Sequence, residues 1–142
     1  MRKVSFSLDP VPAVSKRAKL RRACILSLLF ALSTLFYYFG EVIDLAGWNS
    51  IRWDFFYGVH DVHRLLFLAP IIYAGYFFRV RGAAIITAAT LIAFLPRAIF
   101  LSPFPDPLLR AILFIAVAAI IGVLTGMVRN DVERRSRLEA LV

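Results

Sequence analysis

Two histidines three residues apart are the side chains best suited to bind a ligand or a proton. On a helix, His60 and His63 would lie on one face, about one turn apart. Imidazole binds metals and titrates in the physiological pH range, so a metal pair, a haem or chlorophyll ligand and a pH sensor are all open. A metal site usually needs three or four ligands, and a third would come from Asp54, Glu41, Asp44 or another chain. We expect both histidines to lie in the polar headgroup layer, with metal binding as the weaker interpretation and no cofactor identified.

Arg97 is a cation inside an otherwise apolar segment, residues 82–101. At the centre of a bilayer a cation costs about 2.5–3.5 kcal/mol on insertion scales, so it usually faces a partner or a cavity. The preceding Pro96 lacks a backbone N–H and predicts a kink at this point. Arg97 is therefore predicted either to form a structural ion pair or to line a ligand pocket. The charged residues expected at a similar depth are Asp61, Asp54, Glu41, Asp106 and Arg110.

The composition indicates that the chain is embedded in a membrane. The chain has 142 residues, of which 61% are hydrophobic and 18% are charged, whereas soluble domains are about 45–50% apolar and about 25% charged. A soluble domain of this size still exposes about a third of its surface, so the excess would not fit in a core. A soluble enzyme, a disordered protein and a nucleic-acid-binding protein are all poor fits. The single cysteine, Cys24, excludes an internal disulfide and a cysteine-based zinc site.

Four apolar stretches predict an all-α integral membrane protein, a bundle of four transmembrane helices. The second stretch is short, but Arg64 and Arg79 at its ends can extend their charged groups to the headgroups. An interfacial or buried helix is the alternative for that stretch. The predicted spans are residues 22–40, 63–79, 82–101 and 108–128.

An interfacial amphipathic helix is predicted before the second span. Trp48, Trp53 and Tyr57 are residue types that favour the membrane interface. Apolar residues that step by four, four, three and four mark a helical stripe, and they are Ile51, Phe55, Val59, Val62 and Leu66.

The cations predict the orientation in the membrane. They are concentrated before the first span, in the connection at Arg79 and Arg81, and after the last span. Because Lys and Arg favour the cytoplasmic side, both termini are predicted to be cytoplasmic, with the protein in the cytoplasmic (inner) membrane. Residues 1–20 are predicted to form a mobile basic tail, residues 21–128 the membrane domain, and residues 129–142 a cytoplasmic signalling-type helix.

The last span carries features of a packing surface. Gly122 and Gly126 form a small-xxx-small pair, which favours close helix packing, a homodimer or a partner membrane protein. Leucine and methionine at three–four spacing predict the start of a two-stranded coiled coil, and a simple basic anchor is the alternative. These residues are Leu124, Met127, Leu138 and Leu141.

Three runs resemble the membrane-embedded N-terminal sensor region of bacterial sensor histidine kinases. They are FFYGVHDVHRLLFLAPIIYAG at residues 55–75, FLPR at 94–97 and PFPDP at 103–107. The resemblance implies a compact sensor that feeds a cytoplasmic helix leading to PAS and kinase domains. This chain carries no phospho-acceptor histidine helix and no ATP-binding glycine-rich motif, so kinase activity does not carry over. The expectation is a sensor portion without output domains, or a stand-alone relative that acts through partners.

The predicted function is a membrane signal-transduction module that detects a stimulus at the outer face and relays it through the C-terminal helix. The chain has no catalytic motif, so enzyme activity is the weakest hypothesis. The alternative is a small accessory subunit of a respiratory or photosynthetic membrane complex. A transporter is less favoured, because four spans with one intramembrane arginine offer little lining for a pathway.

Overall fold

The computed structural model describes residues 14–47, 60–101 and 106–142, and all of their regular structure is helical. The all-α class predicted from the sequence is confirmed. In chain order the elements are α1 (Lys16–Tyr37), α2 (Phe39–Ala46), α3 (His60–Leu65), α4 (Leu68–Pro96), a π-helical turn (Arg97–Leu101) and α5 (Pro107–Glu139).

The prediction of four separate transmembrane helices is wrong. Within the described residues three helices are long and apolar enough to cross a membrane, namely Lys16–Tyr37, His63–Phe100 and Leu108–Glu139. The predicted spans at 63–79 and 82–101 belong to one 38-residue helical segment. Between them a single residue, Arg79, leaves helical geometry, with φ 63° and ψ −159°. Arg79 and Arg81 were predicted to form a connection between two separate helices. They lie instead within one helical segment, in which only Arg79 is non-helical.

Arg79 reverses the direction of α4. The ring centroids of Phe67 and Phe94 are 5.0 Å apart, although a straight helix would separate these positions by about 40 Å. A Cβ atom placed on Gly122 of α5 would lie 2.8 Å from Ile71 Cγ2 and 3.1 Å from Ala83 Cβ, so both sides of the bend contact the same residue. We call residues 68–78 the first arm of α4 and residues 80–96 the second arm.

Glycines allow α5 to lie directly against the bend. A Cβ on Gly75 would lie 2.6 Å from the carbonyl oxygen of Gly122, and a Cβ on Gly126 would lie 2.7 Å from the backbone nitrogen of Val80. Gly122 and Gly126 are buried. The close packing predicted for this pair therefore occurs within the chain, and a contact with a second chain would use another face of α5.

The helix ends follow local sequence signals. The side chain of Ser15 caps α1 by accepting a hydrogen bond from the N–H of Ala18 at 3.2 Å, so residues 16–20, which were predicted as tail, are helical. At the other end of the bundle, α4 changes into a π-helical turn directly after Pro96. Proline removes one helical hydrogen bond, which explains why the backbone changes there. Pro107 begins α5, where its missing N–H costs nothing.

The two ends of the bundle differ in chemistry. At one end the guanidinium of Arg22 in α1 lies 4.7 Å from the ring centroid of Phe77, beside the bend. At the same end Arg79 forms an ion pair of 2.5 Å with Glu133 of α5. We call this the basic end. The opposite end, where Phe67 meets Phe94, is called the aromatic end.

Part of the predicted interfacial helix lies outside the described residues. These are positions 51–59, which include Asp54. Its continuation at residues 60–65 is helical, as α3. The proline-rich connection at residues 102–105 also lies outside the described residues.

Candidate functional site

Three buried aromatic rings form the centre of the aromatic end. Each ring is at most 1% exposed. They belong to Tyr37 of α1, to Phe67 near the start of the folded-back segment (residues 63–100), and to Phe94 of the second arm. The ring centroid of Tyr37 lies 4.9 Å from that of Phe94 and 5.9 Å from that of Phe67. Aromatic pairs at such distances contribute about 0.5–1.5 kcal/mol beyond the burial of their area. This aromatic triad therefore joins α1 to both ends of the folded-back segment.

Further rings surround the aromatic triad. Phe30 of α1 packs edge-on against Phe67, with centroids 5.8 Å apart. Phe114 of α5 lies 5.6 Å from Phe94, and the neighbouring Ala111 is only 1% exposed. The N-terminal part of α5 is thus in direct contact with the triad.

Arg97 is buried beside the triad, with 8% of its surface exposed. Its described contacts include a hydrogen bond from Nη1 to the carbonyl oxygen of Tyr37 and a cation–π contact, 4.8 Å from the Tyr37 ring centroid. Tyr37 is the last residue of α1, where carbonyls lack helical partners and the helix dipole is negative. Arg97 therefore binds the C-terminal end of α1 through both its charge and its N–H donors.

Two hydroxyl groups, one in α1 and one on the residue that follows it, also bond to the folded-back segment. The hydroxyl of Tyr38 donates to the carbonyl of Ala93 at 2.6 Å. In a regular α-helix the N–H of Arg97 would bond to the Ala93 carbonyl, but here it bonds to the carbonyl of Phe94. One turn earlier in α1, Ser33 Oγ donates to the carbonyl of Leu66 at 3.2 Å. The C-terminal half of α1 is therefore held at both sides of the reversal.

A second buried arginine lies beside the same rings. Arg64 of α3 is 8% exposed, and its guanidinium lies 5.8 Å from the ring centroid of Phe94. Its position at the end of an apolar stretch predicted a contact with the headgroups. The adjacent His63 is 4% exposed, so its side chain is covered by other parts of the protein.

The other predicted site residues are placed differently. Arg110 is exposed on the first turn of α5, and Asp106 is exposed at the residue that precedes the helix. His60 and Asp61 belong to α3, and their side chains lie outside the described part of the structure, as does Asp54. Among the side chains that the structure describes, no group of three or more His, Cys, Asp or Glu is arranged to hold a metal ion.

The basic end contains a second charged cluster. Glu133 accepts from Arg79 at 2.5 Å and lies 3.2 Å from Nε of Arg129, one turn away on α5. Arg129 also donates to the hydroxyl of Tyr76 in the first arm at 3.2 Å. These contacts connect the bend of α4 to the C-terminal half of α5.

The arrangement is suited to holding helices in position. The hydrogen bond from Arg97 to the Tyr37 carbonyl is one of the contacts that hold the end of α1, and an acceptor that competed for the guanidinium would weaken this hold. Tyr37 packs against Phe94, and Phe94 packs against Phe114 of α5, so this point is connected to α5 through packed rings. No protein-family model, curated protein or solved structure matches the chain.

Proposed function

We propose that the protein is a membrane signal-transduction module, in which the aromatic end receives the stimulus and α5 carries the change to the basic end. The observation that supports this most is the continuity of α5, a single helix of 33 residues from Pro107 to Glu139. It contacts the aromatic triad through Phe114 and the bend through Glu133. A helix of this length spans about 50 Å and transmits a displacement along its axis.

The input step is proposed at Arg97. An anionic or hydrogen-bond-accepting stimulus would compete with the Tyr37 carbonyl for the guanidinium. A ligand shifts an equilibrium only as far as it binds the two arrangements differently. A stimulus that binds Arg97 after it has left Tyr37 satisfies that condition, because it stabilises only the released state of α1.

The basic end is proposed to face the cytoplasm. The start of α1, the bend at Arg79 and the C-terminal half of α5 all lie at this end. Lys and Arg favour the cytoplasmic side of a membrane. Both termini would then be cytoplasmic, in the inner membrane of a bacterium, and the aromatic end would face outward. The resemblance to sensor regions of histidine kinases agrees with this orientation, and no kinase activity is proposed for this chain.

A second copy of the chain is the proposed partner for the output. Met127 and Leu138 are 53% and 56% exposed, and their spacing of eleven residues places them on one side of α5. That side is distinct from the glycine face that packs against α4. In a homodimer formed through the C-terminal part of α5, a movement of this helix would change its contacts with the second copy of the chain.

Distance measurements between two spin labels test the proposal. Cys24 in α1 is exposed and is the single cysteine of the chain, so a Ser136→Cys substitution in α5 supplies the second site. With the protein in lipid nanodiscs, Arg97→Gln is expected to move the label distance by at least about 2 Å, the scale of helix shifts in switching proteins. Arg97→Lys retains the charge and is expected to fall between the wild type and Arg97→Gln.

The matched control is Leu109→Ala, an exposed position at the same end of the bundle. Its label distance is expected to equal that of the wild type. Helical circular dichroism and a single peak in size-exclusion chromatography establish that each variant is folded. A folded Arg97→Gln protein with an unchanged label distance would show that Arg97 does not control the position of α5, and the proposal would be wrong.

The exposed surface of α1 favours a second candidate, an accessory subunit of a membrane complex. The buried residues of α1 are Ser33 and Tyr37, whereas Leu28, Leu32 and Leu35 are 44–60% exposed. Either lipid or the helices of a neighbouring protein can cover this apolar face of α1. A stoichiometric membrane partner after purification in mild detergent, together with unchanged label distances in Arg97→Gln, would favour the subunit over the signalling module.

A further inference from the structure

A groove at the basic end combines a fixed cation with an apolar floor. It lies between the first arm of α4 and the C-terminal half of α5 and has a volume of about 580 Å³, within the range of about 300–1,000 Å³ found for small-molecule sites. Tyr76 and Arg129 form its polar end. Its apolar walls are formed by Ile121, Leu124, Val128 and Val132.

The guanidinium of Arg129 is held in place at the mouth of the groove. It lies 4.6 Å from the ring centroid of Tyr76 and donates to the hydroxyl of the same residue at 3.2 Å. Its Nε lies 3.2 Å from Glu133 Oε1. An arginine has five N–H donors, and these contacts use two of them. Donors therefore remain on the side chain, which is 36% exposed.

The charge balance at this point is positive. Glu133 also pairs with Arg79 at 2.5 Å, so one carboxylate is shared between two arginines. The cluster of Arg79, Arg129 and Glu133 carries one net positive charge. Phosphate groups form strong, charge-assisted hydrogen bonds with a guanidinium that is positioned in this way.

The groove runs from the charged end of the bundle toward its middle. Ile121 lies about 12 Å from Arg129 along the axis of α5. A molecule with an anionic head and an apolar body would match both parts of the groove. Basic pockets between membrane helices bind the headgroups of anionic lipids.

We infer that this groove binds one anionic phospholipid, with its phosphate at Arg129 and an acyl chain along Ile121, Leu124 and Val128. The inference does not depend on the proposed signalling function. The groove lies about a third of a turn of α5 away from Met127 and Leu138, so lipid binding leaves the proposed dimer face open.

Native mass spectrometry of the purified 142-residue chain tests this inference. The protein is released from micelles that contain equal amounts of phosphatidylglycerol and phosphatidylcholine. The wild type is expected to retain one phosphatidylglycerol in preference to phosphatidylcholine. Arg129→Gln is expected to lower phosphatidylglycerol retention about tenfold, the effect of one charge-assisted hydrogen bond.

Two further variants separate a specific site from general attraction. Arg135→Gln removes the same charge from an exposed position on the same helix, outside the groove, and is expected to retain the lipid as the wild type does. Leu124→Trp fills the groove without changing the charge and is expected to lose the lipid. Size-exclusion chromatography and circular dichroism show that each variant is folded.

Three results would overturn the inference. Equal losses in Arg129→Gln and Arg135→Gln would show non-specific attraction by the basic end. Equal retention of phosphatidylcholine and phosphatidylglycerol by the wild type would remove the role of the charge. A dimer mass that disappears in Leu124→Trp, without bound lipid in the wild type, would show that a second copy of the chain occupies the groove.

Discussion

The backbone of Arg79 allows a test of the bend by two substitutions at one position. Its φ of 63° and ψ of −159° lie in a region essentially restricted to glycine, where another residue costs about 1–3 kcal/mol. Arg79→Ala keeps the Cβ atom and therefore keeps that cost, whereas Arg79→Gly removes it. Glycine also gains about 0.4–1 kcal/mol of freedom in the unfolded chain. Arg79→Gly is therefore expected to be more stable than Arg79→Ala by about 0.5–2 kcal/mol.

The ion pair does not disturb this comparison. Both variants lose the ion pair with Glu133. The side chain of Arg79 is 51% exposed and that of Glu133 is 32% exposed, and such surface pairs contribute about 0.2–1 kcal/mol. The loss is the same in the two proteins, so it cancels when their free energies of unfolding are compared. The measurement is an SDS titration in mixed micelles, followed by circular dichroism.

The expected sign is opposite to that for a regular helix. In a helix interior glycine is about 0.8–1.0 kcal/mol less favourable than alanine. Arg81 is exposed and helical, two residues beyond the bend, and it provides the control, because Arg81→Gly is expected to be less stable than Arg81→Ala by that amount. If Arg79→Gly is also less stable than Arg79→Ala, the chain does not reverse at Arg79 and the fold described above is wrong.

Two further substitutions test the packing on either side of the bend. Gly122→Ala is expected to lower the free energy of unfolding by about 1–3 kcal/mol, because the new methyl group would lie 2.8 Å from Ile71 Cγ2; the same SDS titration measures the loss, and an unchanged midpoint would contradict this packing. Tyr38→Phe removes the hydrogen bond to the Ala93 carbonyl and is expected to cost about 0.6 kcal/mol, the average for such bonds in a membrane. Thermal unfolding in detergent measures that cost, and a more stable variant would refute the bond.

The all-α class and a connection at Arg79 and Arg81 could be predicted from the sequence, but it could not be predicted that one helical segment continues through this connection. Apolar stretches and flanking cations indicate membrane helices, because hydropathy depends on composition alone. The reversal depends on the φ angle of one residue, Arg79, and no residue type such as glycine or proline marks that position. By contrast, the backbone change at Pro96 was predicted, since proline removes a helical hydrogen bond wherever it occurs.

At the candidate site, too, some features could be predicted from the sequence and others could not. Arg97 was singled out as a cation within an apolar segment, and it is buried. Carboxylates were predicted as its partners, and the side chains of Asp54 and Asp61 lie outside the described part of the structure. The described contacts of Arg97 include the carbonyl and the ring of Tyr37. Every residue has a carbonyl, so the sequence does not show which one is available; that depends on where α1 ends. Arg64 was missed because its position next to an apolar stretch is also typical of a headgroup contact.

The placement of the cations, and not the number of crossings, supports the proposed orientation. Both termini were predicted on one side because Lys and Arg favour the cytoplasm, and the four separate spans that accompanied this prediction are wrong. In the structure α1 begins beside the bend, as the contact of Arg22 with Phe77 shows. The C-terminal half of α5 lies beside the same bend, through Glu133 and Arg79. The two cation-rich ends of the chain therefore share one end of the bundle because α4 folds back on itself, and a single membrane face can attract both of them.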